Sequence, residues 1–269
     1  MTKIGITGST GSLGKIILKN YTRISFSKFK GDIRNKNEIN EWIEKNNLDT
    51  IIHLAAVVPI KQVNKNKKKA WQVNYLGTKN VVDASIKNNI KWFFFSSTSH
   101  VYNSSRKPIS EGSIKNPISF YGKTKLMAEK YIIKNFKKKK IPFCIGRIFS
   151  TTNKNQKKNY LVPDLKKKIR ASRKKIILKN LNHYRDFISM EDITKIIFLL
   201  WKKKYKGILN LGSGKPIFLK NIALKISQKF KKEIHFKDNR VTTYLIADTK
   251  ELKKIYKKKL NKSLEKMIF

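Results

Sequence analysis

Tyr121 and Lys125 stand four residues apart in Ser119-Phe120-Tyr121-Gly122-Lys123-Thr124-Lys125-Leu126-Met127-Ala128-Glu129. On a helix that spacing places both side chains on one face. An ammonium beside a phenol favours the phenolate and lowers a pKa that starts at about 10. Tyr121 would then exchange a proton near neutral pH. Upstream, Phe95-Ser96-Ser97-Thr98-Ser99-His100-Val101-Tyr102 offers the Thr98 hydroxyl, which would share the bond to a reacting oxygen. It also offers His100, whose ordinary pKa of about 6.5 suits proton transfer. The plain alternatives stay open. A lysine at any given offset is common in so basic a chain, and His100 reads equally as a hydrogen-bonded histidine shaping a pocket.

Groups so far apart in sequence need a scaffold to bring them together. The chain alternates strand and helix patterns. Strands are expected at Ile4–Thr7, Ile24–Phe26, Thr50–Leu54, Trp92–Ser96, Phe143–Ile148 and Ile208–Leu211. Helices are expected near Ile16–Asn20, Lys36–Asn46, Ala70–Asn88, Tyr121–Phe136, Glu191–Lys203 and Lys220–Phe230. Such alternation predicts right-handed βαβ crossovers and a mainly parallel sheet covered on both faces. The segments around Thr151–Lys175 and Lys231–Arg240 break it and are expected to build a smaller lobe. The organisation predicted is residues 1–149 as a dinucleotide-binding domain and 150–269 as a substrate-binding lobe, with 185–212 returning to the main sheet.

The first strand runs into Gly8-Ser9-Thr10-Gly11-Ser12-Leu13-Gly14, and a helix pattern follows. Glycines between strand and helix allow a tight turn and a close approach to a pyrophosphate. The helix N-terminus then presents free N–H groups to the anion. The spacing is G-x-x-G-x-x-G, and alone it serves structural turns as well as nucleotides.

Composition excludes several classes. With 269 residues, 40% hydrophobic and 11% aromatic, the chain has material for a full core. No apolar run reaches the roughly 20 residues of a membrane span, and strand character begins within three residues of Met1, which argues against a signal peptide. A cytoplasmic location is expected. The single Cys144 excludes an intrachain disulfide and any multi-cysteine metal site, so no metal is expected. A net charge of +45 invites a nucleic-acid reading. Only eight of the 62 basic residues are arginine, the type that reads bases, and the lysines are scattered throughout. Nucleic acid is not expected as the primary partner, and the field would instead draw in an anionic small molecule.

The end of the second strand bears on the cofactor. NAD-specific dinucleotide folds place a carboxylate there for the adenosine 2′-hydroxyl. Here the sequence is Ile24-Ser25-Phe26-Ser27-Lys28-Phe29-Lys30, with none. Lys28 or Lys30 would suit a 2′-phosphate, which favours NADP over NAD; they are also two lysines among many.

Taken in order, these motifs resemble the extended short-chain dehydrogenase/reductase family of nucleotide-sugar epimerases, dehydratases and ketoreductases. The resemblance rests on Gly8–Gly14, Gly31-Asp32-Ile33, His53-Leu54-Ala55-Ala56, Val73-Asn74-Tyr75-Leu76-Gly77-Thr78, Ser96-Ser97-Thr98 with Val101-Tyr102, and Tyr121-Gly122-Lys123-Thr124-Lys125. It continues through Arg147-Ile148-Phe149-Ser150, Arg185-Asp186-Phe187-Ile188 and Asn210-Leu211-Gly212-Ser213-Gly214. It implies a Rossmann-like doubly wound parallel sheet with a smaller C-terminal lobe, an NADP or NAD cofactor, and a homodimer through the helices bearing Asn74 and Tyr121. It implies that Gly8, Gly11, Ser12, Leu13 and Gly14 cradle the pyrophosphate and that Asp32 and Ile33 meet the adenine. Leu54, Ala55 and Ala56 would line the cofactor and Asn74 would support it. Lys125 would hold the nicotinamide ribose, and Phe149 would pack beside the nicotinamide. Arg185 and Arg240 would grip the diphosphate of a nucleotide-sugar substrate, and His53 would be structural.

Two departures shape the functional expectation. Dehydratases of that family show Thr-Asp-Glu before Val-Tyr, whereas this chain has Thr98-Ser99-His100, and Ser150 replaces a common Asn. The implied activity is reduction of a 4-keto group on a nucleotide-activated sugar, with Tyr121 as acid. A redox-neutral 4-epimerase is the alternative, and a non-catalytic nucleotide- or RNA-binding protein on the same fold is a remote one.

Overall fold

A computed structural model describes residues 3–153, 156, 160–172, 175–238, 242–260 and 264–269. In chain order the first half comprises β1 (Ile4–Thr7), α1 (Ser12–Asn20), β2 (Phe26–Lys28), α2 (Lys36–Lys45), β3 (Thr50–His53), α3 (Ile60–Lys65), α4 (Lys67–Trp71), α5 (Thr78–Lys87), β4 (Trp92–Thr98), α6 (Phe120–Lys138) and β5 (Phe143–Ile148). The second comprises β6 (Ser150–Thr152), α7 (Leu161–Ala171), β7 (Lys175–Lys179), β8 (His183–Ser189), α8 (Met190–Lys202), β9 (Gly207–Leu211), β10 (Pro216–Phe218), α9 (Leu219–Phe230), β11 (Glu233–Lys237), β12 (Thr243–Leu245), α10 (Lys250–Ile255) and α11 (Leu264–Ile268).

Six parallel strands in the order β2-β1-β3-β4-β5-β9 form the main sheet. The fold is α/β and Rossmann-like. Strands β1 and β3 are buried at every position, as a sheet covered on both faces requires. One face packs β-strand residues Ile4, Ile6 and Phe94 against α8 residues Ile193, Ile196 and Ile197. The other packs Phe93 and Phe95 against Val81 and Val82 of α5 and Ile132 and Phe136 of α6. A four-stranded sheet of β10-β8-β12, with β6 paired to β8, and the pair β11-β7 make up the rest. Of the segment 185–212, α8 and β9 lie with the main sheet, whereas β8 belongs to the smaller one.

Three local expectations shift. The second strand begins at Phe26, because the chain is still turning at Ile24, whose N–H donates to the Tyr21 carbonyl (3.0 Å). The single helix expected over 70–88 divides into α4, a π-helical segment at Gln72–Gly77 and α5. Strand β4 runs on to Thr98 because Ser97 and Thr98 stay in register with Arg147 and Ile148. No helix among the described residues is long and apolar enough to cross a membrane.

Candidate active site

The C-terminal ends of β1, β3, β4 and β5 open onto a cleft of about 1140 Å³. Gly8, immediately after β1, sits at φ +71°, and a Cβ there would lie 2.6 Å from the Ala55 nitrogen. A Cβ at Gly14 would lie 2.5 Å from the Gly8 carbonyl oxygen. The turn is therefore drawn tight under α1, whose N-cap Gly11 has no side chain to occupy the first helical N–H groups. Gly11, Ser12, Leu13 and Gly14 all line the cleft at that point. An anion held there would meet donors and a positive helix end, and the cradle fits a dinucleotide pyrophosphate.

At the far side of the glycine loop the cleft is lined by Lys30, Gly31, Asp32, Ile33 and Arg34. The Asp32 carboxylate accepts from Arg34 Nε (2.9 and 3.0 Å) and from the Arg34 backbone N–H (2.9 Å), which holds it below the usual carboxylate range. Lys30 faces the cleft, whereas Lys28 is exposed outside its wall. Leu54, Ala55 and Ala56 line the cleft. Asn74 does not reach it. Buried, it accepts from Val57 N–H (2.7 Å) and donates to the Thr124 hydroxyl (3.4 Å), tying the turn after β3 to α6. His53 is buried between the hydroxyls of Thr7 (2.6 Å) and Thr78 (3.0 Å), and burial pushes its pKa down to about 3.

Thr98, Tyr121 and Lys125 converge on the same cleft. Ser119 caps α6 by accepting from the Gly122 N–H (3.1 Å), so the helix starts where Tyr121 can face β4. A Cβ at Gly122 would run into the His100 carbonyl, so only glycine lets α6 approach the turn after β4 so closely. The Thr98 hydroxyl lies beside the Tyr121 phenol, and the rings of Tyr121 and His100 meet edge to face at 6.2 Å. Burial pushes the Tyr121 phenol up, with Tyr160 adding to the rise and the Thr98 hydroxyl opposing it. The lowering by Lys125 expected from the i,i+4 spacing is not among the causes that set this phenol, which desolvation of the charged form dominates. Burial also pulls Lys125 down to about 7, with Glu129 opposing. Its ammonium lies 3.9 Å over the Phe95 ring. His100 is pulled down to about 4, first by burial and then by Arg185.

Beyond Tyr121 the wall is Phe149, Ser150, Gln156, Tyr160, Arg185 and Phe187. Arg185 donates to the Tyr184 carbonyl (2.7 Å), the Thr243 carbonyl (3.1 Å) and the Thr243 hydroxyl (2.9 Å), and makes no ion pair among the described residues. Arg240 lies outside the described residues. No group of histidine, cysteine and carboxylate side chains that would hold a metal occurs among them.

Two polar centres behind the cleft escape sequence reasoning. Arg147 on β5 and Glu129 on α6 form a buried pair (2.6 Å), and Arg147 also donates to Tyr102 (2.7 Å) and the Glu111 carbonyl (2.9 Å). Ser97 donates to Glu129. Glu129 follows Lys125 by four residues, so the spacing that pairs Tyr121 with Lys125 would have placed it on that face. Asp186 gathers the N–H groups of Ser213 (2.7 Å), Gly214 (2.8 Å) and Ala247 (3.1 Å), which no sequence spacing shows.

Comparison with known proteins shows the family of this chain. The model of the NAD dependent epimerase/dehydratase family matches residues 4–212, and the chain belongs to that family. It is 24% identical over 239 residues to a dTDP-D-glucose 4,6-dehydratase of Dictyostelium discoideum, covering 84% of this chain and 54% of that protein. It is 29% identical over 223 residues to a GDP-6-deoxy-D-talose 4-dehydrogenase of Aggregatibacter actinomycetemcomitans, covering 79% and 74%. The chain thus spans about half the length of the first relative and about three quarters of the second. The solved structure of RMD from Pseudomonas aeruginosa complexed with NADPH superposes with a TM-score of 0.89 at 17% identity, covering all of this chain and 96% of that one.

Proposed function

We propose that this member of the NAD dependent epimerase/dehydratase family is an NADP-dependent 4-ketoreductase of a nucleotide-activated sugar. The observation that carries the reading is the cluster of Thr98, Tyr121 and Lys125 in a cleft whose catalytic end holds no carboxylate among the described residues. The two residues after Thr98 are a buried Ser99 and a His100 that is neutral at physiological pH, so neither supplies the acid pair a dehydration needs.

When bound, a nicotinamide cofactor supplies hydride to the sugar carbon. The chain's own residues bind, orient and exchange the proton. The raised Tyr121 phenol stays protonated near neutral pH and donates its proton to the developing alkoxide. Thr98, beside Tyr121, presents a hydroxyl to the same oxygen. Lys125 positions the cofactor ribose and, in its charged form, favours proton release from Tyr121. His100 shapes the pocket. Arg185, with a guanidinium free of carboxylates among the described residues, holds the substrate diphosphate, and Ser150 and Phe149 flank the sugar and nicotinamide. Asp32 is taken up by Arg34, leaving Lys30 to meet a 2′-phosphate, which supports NADP.

The test is to release any bound nucleotide by denaturing fresh protein, identify it by mass spectrometry, and assay NADPH oxidation against a 4-keto nucleotide sugar. An exchangeable site and NADPH-dependent reduction are expected. Stoichiometric retained NAD with interconversion of 4-epimers would favour the epimerase instead. No affinity for either dinucleotide would reject both.

A further inference from the structure

The end of the main sheet opposite the cleft carries an unusual concentration of charge. Strands β4, β5 and β9 are neighbours, and the turns that lead into them lie side by side there, about 4.8 Å apart per strand. The Phe93 N–H donates to the Pro142 carbonyl (3.1 Å), and the Trp92 indole donates to the Tyr205 carbonyl (3.0 Å), locking the three turns together. They contain Lys87 and Lys91, Lys137–Lys140, and Lys202–Lys204 with Lys206, ten exposed lysines and no carboxylate.

Helix capping does not account for them. A cation in the last turn offsets the helix dipole, and Lys87, Lys137, Lys138 and Lys202 serve that purpose for α5, α6 and α8. Six more lie beyond the helix ends. Backbone geometry does not call for lysine either. Five helix-to-strand turns place one residue at positive φ: Asn47 (46°), Asn89 (51°), Lys140 (55°), Lys204 (46°) and, away from this end of the main sheet, Lys231 (51°). Asparagine suits that conformation and lysine does not. Of the nearby carboxylates, Glu251 pairs with Lys254 (2.7 Å), and Asp49 offsets one lysine of the pole, Lys204, which Lys91 repels.

We propose that this lysine pole docks the enzyme reversibly on an anionic phospholipid surface, leaving the cleft at the opposite end of the strands open to solvent. The residue types favour lipid over nucleic acid. The pole has no arginine for phosphate forks, and its aromatic groups are used internally: the Trp201 indole donates to Thr50 (3.4 Å) and lies under Lys204 (5.5 Å). Point charges on a flat face are what an anionic headgroup layer rewards, at about 1 kcal/mol per lysine near the surface. Ile90 is buried, Ile141 and Tyr205 are half-buried against the core, and no large apolar side chain of the turns is fully exposed, so binding should be reversed by salt.

The experiment is co-sedimentation of the full chain with phosphatidylcholine vesicles containing about 30% phosphatidylglycerol, a composition that mimics an anionic leaflet. The parent should partition to these vesicles, not to pure phosphatidylcholine, and should release at high salt. Replacing Lys137–Lys140 with Gln should weaken partitioning at least tenfold with NADPH binding unchanged. Removing four scattered lysines (K19Q, K36Q, K225Q and K237Q) should weaken it no more than threefold. Equal losses from the two variants would overturn the proposal in favour of diffuse charge. So would retained binding in the Lys137–Lys140 variant, or binding of polyuridylate RNA by the parent that depends on this pole while vesicles are ignored.

Discussion

Two groups of buried polar side chains lie within a helix turn of each other and are treated in opposite ways. Around Arg147 every strong group finds a matched partner: Glu129 takes the guanidinium, Ser97 donates to Glu129, and Tyr102 passes on to Asn210 (2.7 Å). Burial pushes up a phenol in each group, Tyr102 to about 12 and Tyr121 as well, but only around Lys125 is a cation buried with so little compensation that it is pulled down to about 7. The first arrangement fixes the register of α6 against β4 and β5. The second leaves titratable groups shifted from their ordinary values in a cleft, which is what marks it as the candidate site. The difference teaches that burial alone does not mark the site; the balance between burial and pairing does.

The sharpest way to break that contrast is at Tyr121. Tyr121→Phe should lower ketone reduction by about 10²–10⁴-fold while the thermal midpoint stays put, as read by steady-state NADPH oxidation and melting curves. A loss within a few-fold of the parent would reject the proton-donor role. Arg147→Met should behave in reverse, destabilising the fold by about 3–5 kcal/mol because Glu129 is left buried and charged. Urea unfolding would show this, and the added Glu129→Met change should recover part of the loss.

Lys125→Met joins the two regions. It should lower activity about 100-fold, as expected when a ribose and proton-transfer contact is removed, without lowering stability at neutral pH. The pH dependence has a definite sign. The folded pKa of Lys125 falls from 10.5 to about 7, so the unfolded chain binds more protons between those values. Its contribution to stability therefore rises with pH across that window, and the methionine variant should lose that rise. Its charge, and the help it gives Tyr121, are present below about 7 and lost above it, so reductive kcat/KM should fall as pH rises past 7 in the parent only. The smallest effect is expected at the cofactor's edge. Lys30→Ala should reduce the NADPH-over-NADH preference about tenfold, as for loss of one charged hydrogen bond, and Lys28→Ala should leave it unchanged. Equal effects would place the 2′-phosphate differently.

Much of the scaffold was legible because its signals are local. Buried parallel strands read as apolar runs at Ile4–Thr7, Trp92–Ser96 and Phe143–Ile148, and the glycine turn after β1 is written in consecutive residues. Where the structure departs, longer-range contacts decide: Ile24 is held in a turn, and Thr98 joins β4 through pairing with Ile148. The residue types at Thr98, Tyr121 and Lys125 and their helical spacing were likewise set by the sequence. Their ionisation was not. Spacing predicts that Lys125 lowers the Tyr121 phenol, but desolvation depends on how many chain segments close over the pair, and that is known only after α6 packs on β4. The same reason separates Asn74, where the family resemblance implies a cofactor support but the side chain bonds Val57 and Thr124, from Lys30, which faces the cleft. One chain position fixes a side chain's chemistry, while its neighbours in space, contributed by distant segments, fix its solvation, its partners and the direction it faces.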